Sequence, residues 1–217
     1  MYQLHNKRDW QFRRQLQGRG INTILNDTGR EQAAKLAETI RDVPLTAIIS
    51  SALTRAHETA EIVTNIHPHL RVRSFPELEE MSYGQFEGQG HENHQGFHSI
   101  VKQWRSGQYD QRFLGGECPL DVVARGIPKI TEIMHQAAAQ DHIMIVAHGR
   151  FNKIILSQCL YGNLDHMHDF EQENTCINVL DYDRASQRYE EVVINSIQHL
   201  PRQLASHDQQ HRKRVHR

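Results

Sequence analysis

The chain has little cysteine and no long apolar run. Its 217 residues include three cysteines, widely spaced and odd in number, which favours neither a disulfide framework nor a zinc cluster. No apolar stretch approaches the roughly 18 residues that a membrane span needs. The segment Met1–Arg14 also lacks the apolar core of a secretory signal. We therefore expect a protein of the reducing cytoplasm without a membrane partner.

An excess of charge of either sign is also absent. The formal net charge is −1 at pH 7, so the composition gives no indication of a nucleic-acid partner. Sixteen histidines are many for this length. Metal sites need ligands that converge and are held by further contacts, and most of these histidines stand singly or in loose pairs. We interpret nearly all of them as surface side chains, with His148 and His5 as the exceptions, and expect no metal.

Apolar segments of the chain alternate between strand-like and helix-like patterns, which favours an α/β layer architecture. The clearest strand is HIMIVA at 142–147, which is continuous and apolar, as a central parallel strand is. A long helical segment from Pro119 to Gln140 contains Pro128, which predicts a break or kink near 126–128. The Gly-, Gln- and His-rich stretch at 84–96 predicts a loop. Further helices are expected over 30–40, over 51–63 with a Ser-Ser N-cap signal at its start, and over 149–160. Further strands are expected over 46–50, 71–75, 175–182 and 189–194, and a polar turn at 183–187 separates the last two.

The domain organisation is simple. No linker is visible within residues 1–200, which predicts a single domain. After Pro201 the chain becomes polar and basic, so residues 201–217 are expected to form a disordered tail.

A histidine stands where the clearest strand runs into a helix. The sequence Ala-His-Gly places His148 at the carboxyl end of that strand, where open α/β sheets bind ligands. Gly149 permits close approach of a ligand to the backbone, and the first N–H groups of the following helix can bind an anion. A buried histidine with a structural role would explain the same residue about equally well.

Two further segments carry residues suited to phosphate. Arg55 begins a helix just after the strand ending in Ser50, and a guanidinium there can bind phosphate oxygens with two hydrogen bonds. Glu80 lies beside Glu79 and near Glu87 in LEEMSYGQFEG. Neighbouring carboxylates disfavour each other's ionisation, which suits one of them to act as a general acid. Taken alone, each of these residues is also explained by a solvated surface position.

Together these segments resemble the histidine phosphatase superfamily, which includes phosphoglycerate mutases and fructose-bisphosphatases. The resemblance extends from about Leu4 to Leu200 in the expected order and spacing. It also includes LQGRG at 16–20, LNDTGREQA at 25–33, GGEC at 115–118 and ENTCINVL at 173–180. It implies a three-layer α/β/α fold of the phosphoglycerate mutase type, with a mostly parallel central sheet.

The resemblance implies a role for each of these residues. His5 would attack phosphorus and become transiently phosphorylated. Arg55 and His148 would hold the phosphate, and Glu80 would protonate the leaving group. Other residues on family motif positions are Arg19 and Asn174, expected to bind substrate or phosphate, and Glu117, whose role is less defined.

The first motif departs from the family pattern. Leu4 stands where the family has arginine, and Asn6 where it has glycine. Gln11 replaces an asparagine that touches phosphate, although we still count it among the binding residues. Removal of one preorganised donor typically slows a reaction by about 10²–10³-fold. Activity would then be reduced unless Arg8 or Lys7 takes the place of the missing cation.

We interpret the chain as a metal-independent phosphomonoesterase that acts on a small phosphorylated metabolite, needs no cofactor, and is a monomer or homodimer. An inactive pseudophosphatase that binds a phosphorylated ligand or protein is the first alternative, supported by the altered first motif. A truncated, partly unfolded product is another. Phosphoglycerate mutase activity is disfavoured, because only about 35 residues separate Glu80 from GGEC, where the family's cofactor-dependent mutases usually carry a longer insertion.

Overall fold

The computed structural model describes residues 15–89, 95–201 and 204. Within these ranges the chain forms five α-helices and five β-strands, with two short 3-10 helices at Pro76–Leu78 and Gly84–Phe86. The helices are α1 (Asp27–Thr39), α2 (Thr54–Thr64), α3 (Gln95–Arg105), α4 (Pro119–Gln136) and α5 (Gly149–Tyr161). The strands are β1 (Leu45–Ser51), β2 (Val72–Phe75), β3 (His142–Val146), β4 (Ile177–Asp183) and β5 (Arg188–Ser196).

Three parallel strands form the sheet that carries the site. Strand β1 lies in the middle, with β2 on one side and β3 on the other. Ile48 of β1 pairs with Val72 of β2 and with Met144 of β3. Because all three strands run the same way, their carboxyl ends meet at one edge. The expectation of a parallel central sheet is confirmed.

Helices cover both faces of this sheet. Successive side chains of a strand point to opposite faces, and the strands follow that rule. Ile48 and Met144 pack with Leu36 of α1 and Ala60 of α2 on one face. Ile49 packs on the other face, in a larger core formed with buried side chains of three helices. These are Phe97 and Trp104 of α3, Val122 and Ile130 of α4, and Phe151 and Ile154 of α5. The predicted three-layer α/β/α architecture is therefore confirmed.

The last two strands form an antiparallel hairpin. Val179 pairs with Val193, and Tyr182 pairs with Tyr189. The two tyrosine rings lie 4.7 Å apart between centroids. The polar turn that the sequence predicts at 183–187 joins β4 to β5, as expected.

The long helix α4 is not broken at its internal proline. It runs from Pro119 to Gln136 with Pro128 inside it, and it ends four residues before the predicted limit at Gln140. Of the break or kink predicted near 126–128, the break does not occur, and the kink stays a prediction. Pro128 is solvent-exposed, so its ring lies away from the core. Gly126 faces α5 instead, since a Cβ placed there would lie 2.8 Å from Ile155 Cδ1.

Two further expectations need correction. The segment 51–63 was expected to start a helix with a serine cap, but Ser51 still belongs to β1 and α2 begins at Thr54 with no side-chain cap. Helix α3 was not predicted, and it begins at Gln95, inside the stretch 84–96 expected to be a loop. Its buried Phe97 and Trp104 pack into the larger core, and this tertiary contact stabilises a helix of modest propensity. Of the expected tail at 201–217, all but Pro201 and Leu204 lies outside the described residues.

The three cysteines are all described by the structure. Cys118, Cys159 and Cys176 are all free thiols. Burial raises the pKa of Cys159 to about 12, so this thiol stays protonated near neutral pH. Across the described ranges, no helix has the length and apolar character that would let it cross a membrane. Those ranges also contain no group of three or more His, Cys, Asp or Glu residues placed to hold a metal ion.

Candidate active site

The carboxyl ends of β1 and β3 bring a serine and a histidine together. Ser51 is the last residue of β1, and His148 follows β3 immediately before α5. His148 Nε2 lies 2.7 Å from Ser51 Oγ, and both side chains are buried. Ser51 Oγ also accepts a hydrogen bond from Leu53 N, at the entrance to α2. The imidazole is therefore held in place by a hydroxyl group from the neighbouring strand.

Arg55 lies in the first turn of α2 and points into the protein. Its guanidinium donates to the carbonyl of Ile21 at 2.7 Å and to that of Gly18 at 3.4 Å. Burial lowers the pKa of Arg55 from its usual range, and the nearby carboxylate of Glu80 opposes that change. Guanidinium pKa values are so high that Arg55 stays charged at neutral pH. The site therefore contains a buried cation close to Glu80.

The Glu80 carboxylate binds the start of α5. Its Oε1 accepts hydrogen bonds from Phe151 N and Met81 N, both at 2.8 Å, and its Oε2 accepts one from Arg150 N at 3.1 Å. The first N–H groups of a helix have no partner within the helix, and the positive end of the helix dipole favours a negative charge. Glu80 thus caps α5, although it lies 70 residues before Arg150 in the chain. Glu80 is only 2% exposed.

A second arginine holds the loop that carries Glu80. Arg125 of α4 donates to the carbonyls of Glu77 and Glu79, both at 2.8 Å, and to the carbonyl of Glu80 at 3.1 Å. It also binds both carboxylate oxygens of Glu117, at 2.8 and 3.1 Å. Glu117 Oε2 accepts a further hydrogen bond from Ser82 N at 2.8 Å. The position of Glu80 therefore depends on the ion pair between Arg125 of α4 and Glu117, which lies just before that helix.

These observations agree with the profile of one family, the histidine phosphatase superfamily (branch 1), which matches residues 5–195. The chain belongs to this superfamily. The match covers most of the sequence, and the fold described above has the mixed α/β architecture of the superfamily's solved members.

Relatives of this chain include named phosphatases. The uncharacterized phosphatase PhoE of Bacillus subtilis strain 168 is 27% identical over 192 residues, which are 88% of this chain and 92% of PhoE. The glucosyl-3-phosphoglycerate phosphatase of Mycolicibacterium vanbaalenii is 31% identical over 154 residues, 67% of this chain and 66% of that protein. The solved structure of YhfR from Bacillus stearothermophilus is 25% identical, with a TM-score of 0.77 over 91% of this chain and 96% of YhfR.

Not all of the expected histidine phosphatase residues join this cluster. Arg19 follows Gly18, whose carbonyl binds Arg55, but its own guanidinium is turned towards carboxylates: its Nε lies 2.6 Å from Glu79 and its Nη1 3.6 Å from Glu117. Arg19, expected to bind substrate or phosphate, forms these ion pairs in the structure, and its role towards phosphate stays a prediction.

The expected backbone ligand Gly149 lies in α5, and the expected amide ligand Asn174 lies in the segment before β4. Gly149 is buried at the first position of α5, where its N–H has no partner inside the helix. Asn174 is half-buried in the segment before β4. That segment touches α5, since Gln172 accepts a hydrogen bond from Asn152 at 3.2 Å. His5, Arg8 and Gln11, like the other altered positions of the first motif, lie outside the described residues.

Sequence reasoning missed three residues of this site. Ser51 was interpreted as part of a helix cap, and Arg125 resembles any solvated helix arginine. Glu87 was considered only as one of three neighbouring carboxylates, but it accepts hydrogen bonds from Tyr83 N at 2.9 Å and Ser82 Oγ at 3.2 Å. A Cβ on Gly18 would lie 2.2 Å from its Oε1, so the glycine of LQGR allows this close approach. Gly18 and Glu87 are far apart in the sequence, and no local pattern predicts that they touch.

Proposed function

We propose that this chain hydrolyses phosphomonoesters of small metabolites through a phosphohistidine intermediate. One observation supports the proposal above the others. In a member of the histidine phosphatase superfamily, a buried arginine, a buried histidine and a buried glutamate converge where β1 and β3 end and α2 and α5 begin. Cationic groups and helix N–H donors at such an edge stabilise the charge of a transferring phosphoryl group.

The proposed reaction has two steps. His5 attacks phosphorus, the bond from phosphorus to the ester oxygen breaks, and Glu80 gives its proton to the departing alkoxide. Water then attacks phosphorus, and the bond from phosphorus to the His5 nitrogen breaks. One proton of this water passes to Glu80, so both side chains are restored as inorganic phosphate leaves. Arg55 and His148 hold the phosphoryl oxygens throughout.

The hydrogen bonds of Glu80 constrain its part in this scheme. Three backbone N–H donors occupy acceptor positions of its two oxygens. Oε1 accepts two of these hydrogen bonds and Oε2 only one, which leaves Oε2 as the oxygen with a free lone pair. We assign the transferable proton to Oε2.

The decisive experiment compares two aryl phosphates without added metal. Phenyl phosphate has a poor leaving group that needs a proton, whereas 4-nitrophenyl phosphate has a good one that does not. General acid catalysis contributes about 10²–10⁴-fold. We therefore expect Glu80→Gln to lower kcat/KM for phenyl phosphate by about 10²-fold or more, and for 4-nitrophenyl phosphate far less. Glu79→Gln, the matched control, should change both substrates by the same factor.

Two further variants, together with Glu80→Gln, separate the alternatives. Loss of turnover in His148→Ala is expected if the site is the one described. A parent chain without turnover, with activity regained in Leu4→Arg, would contradict the proposed hydrolysis and favour the pseudophosphatase. Equal loss on both substrates in Glu80→Gln would remove Glu80 from the acid role and leave it as the cap of α5.

A further inference from the structure

Arg150 connects the candidate site to a second group of cations. It is the second residue of α5, and its backbone N–H binds Glu80 Oε2 at 3.1 Å. Its guanidinium lies 5.9 Å from the centre of the Trp104 ring. Burial raises the pKa of Tyr83, and the Arg150 side chain opposes that rise, which puts its charge beside the phenol. Arg150 therefore extends from the Glu80 carboxylate towards the aromatic side chains of the larger core.

Three other basic side chains belong to the same region, since the charges of Arg150, Arg105 and Lys153 all act on His168. Lys153 lies one turn further along α5, and Arg105 ends α3 directly after Trp104. His168 lies in the segment that follows α5. Burial lowers the pKa of His168 to about 4, and the charges of Arg150, Arg105 and Lys153 lower it further in that order. We call Arg105, Arg150, Lys153 and His168 the cationic cluster.

The two arginines of this cluster differ from Arg19 and Arg125 in their charge partners. Among the described residues, neither Arg105 nor Arg150 forms an ion pair, in contrast to Arg19 and Arg125, which are both bound to Glu117. Asp169, the acidic residue that acts on His168, interacts with His166 at 3.1 Å instead.

An unused polar atom lies in the same place. His168 Nε2 is buried and has no hydrogen-bond partner in the described part of the chain. A buried polar atom without a partner is unfavourable for the folded state. Native proteins retain such atoms where a ligand or water completes the hydrogen bond. The cluster thus offers both charge and a nitrogen able to bind a ligand atom.

We propose that the cationic cluster, with Arg150 at its centre, is a subsite for a second anionic group on the alcohol portion of the substrate. The inference rests on the proposed function for the orientation of the substrate. The alcohol oxygen must approach Glu80, and Arg150 N is bound to the Glu80 carboxylate. An alcohol that carries a carboxylate or a second phosphate can therefore reach the Arg150 guanidinium, which binds such groups with two parallel hydrogen bonds. The substrate class is an acidic phosphomonoester, such as a phosphorylated hydroxy acid.

The test uses two inert compounds that differ in one charge. 4-Carboxybenzylphosphonate and 4-carbamoylbenzylphosphonate have the same size, and neither can be hydrolysed. Isothermal titration of the full chain should show the carboxylate compound binding about 10-fold more tightly. Arg150→Gln should reduce this ratio to about 2-fold or less, and Arg150→Lys should retain part of it. Arg105→Gln, at an exposed position, should lower the ratio by a smaller factor.

Arg71→Gln is the matched control. Arg71 is exposed and precedes β2, at the amino end of that strand, where its guanidinium binds only the carbonyls of Pro68 and Leu70. The ratio should persist in this variant. Equal binding of both compounds by the parent, an unchanged ratio in Arg150→Gln, or the same loss in Arg71→Gln would overturn the subsite, as would the absence of any binding.

Binding and turnover separate the two proposals. A preserved carboxylate preference in a chain that hydrolyses neither aryl phosphate would contradict the proposed function and support the subsite. Turnover without any carboxylate preference would support the proposed function and overturn the subsite.

Discussion

At the scale of single residues, Arg125 uses its whole guanidinium on the loop that carries Glu80. It makes five hydrogen bonds, three to backbone carbonyls and two to Glu117, and an arginine has five N–H donors. The Arg125 and Glu117 side chains are only 13% and 15% exposed. The Arg125 side chain therefore fixes the backbone from Glu77 to Glu80 by binding three of its carbonyl groups.

Replacement of Arg125 should therefore be strongly destabilising. Arg125→Gln leaves Glu117 charged and poorly paired in a largely buried position, and removal of one partner of a buried pair typically costs about 3–5 kcal/mol. We expect a decrease of about 3 kcal/mol in the free energy of unfolding, measured by urea denaturation. Arg112→Gln is the matched control. Both terminal nitrogens of Arg112 bind Asp121, but the Arg112 side chain is 59% exposed. That exposed pair should contribute about 1 kcal/mol or less. Similar losses in both variants would contradict the role given to Arg125.

At the scale of elements, α4 and α5 pack closely because one residue between them has no side chain. A Cβ on Gly126 would lie 2.8 Å from Ile155 Cδ1 and 2.9 Å from Phe151 Cε2. Phe151 stands in the first turn of α5, and its N–H binds Glu80. The helix contact therefore sets the distance between α4 and the end of α5 that faces the site.

Two substitutions in α4, two residues apart, should have opposite effects. In Gly126→Ala, the higher helix propensity of alanine would stabilise α4 by about 1 kcal/mol. Overpacking of a core typically costs about 1–3 kcal/mol, so we expect a net decrease in the free energy of unfolding. Pro128→Ala removes a ring from the interior of a continuous helix at an exposed position, and we expect a gain of about 1 kcal/mol. Urea denaturation of both variants gives the comparison. A gain in Gly126→Ala would mean that α4 and α5 are free to move apart.

At the scale of the whole molecule, the distribution of charge makes stability depend on pH. The formal net charge is only −1, but cations gather around His168. Burial and the charges of Arg150, Arg105 and Lys153 lower the pKa of His168 to about 4 from an ordinary 6.5, with Asp169 opposing them weakly. Burial also lowers the pKa of His199. The folded chain thus binds fewer protons than the unfolded chain between about pH 6.5 and 4.

The sign of the effect follows from this difference. A histidine with a lowered folded-state pKa contributes its stabilisation fully above about pH 6.5, and that contribution is lost as the pH falls towards about 4. Between pH 7 and pH 5 the parent should therefore lose more stability than His168→Gln, which has no proton to gain at this position. Denaturation curves at the two pH values provide the measurement. Identical losses in parent and variant would show that His168 titrates normally in the folded protein.

Much of the fold could be predicted from local pattern. The apolar run at 142–147 and the periodicity of 30–40 depend on residues adjacent in the chain, and they gave β3 and α1 within a few residues. Helix α3 was missed because its stability comes from Phe97 and Trp104 packing into the larger core, which no local pattern reports. Ser51 was assigned to a helix for the same reason, since its pairing with Phe75 of β2 extends β1 to that residue.

For the site, the sequence determined which residues stand at strand ends and helix starts, and so predicted that His148 and Arg55 face a common edge. Membership of the histidine phosphatase superfamily was also readable from ordered motifs. Only the tertiary structure decided that Glu80 caps α5 and that Arg125 binds the loop of Glu80. It also decided that the charges of Arg150 and Arg105 act on His168. The physical reason is that strand ends and helix starts follow from neighbouring residues. Hydrogen-bond partners 45 or 71 positions apart depend instead on how the finished layers pack.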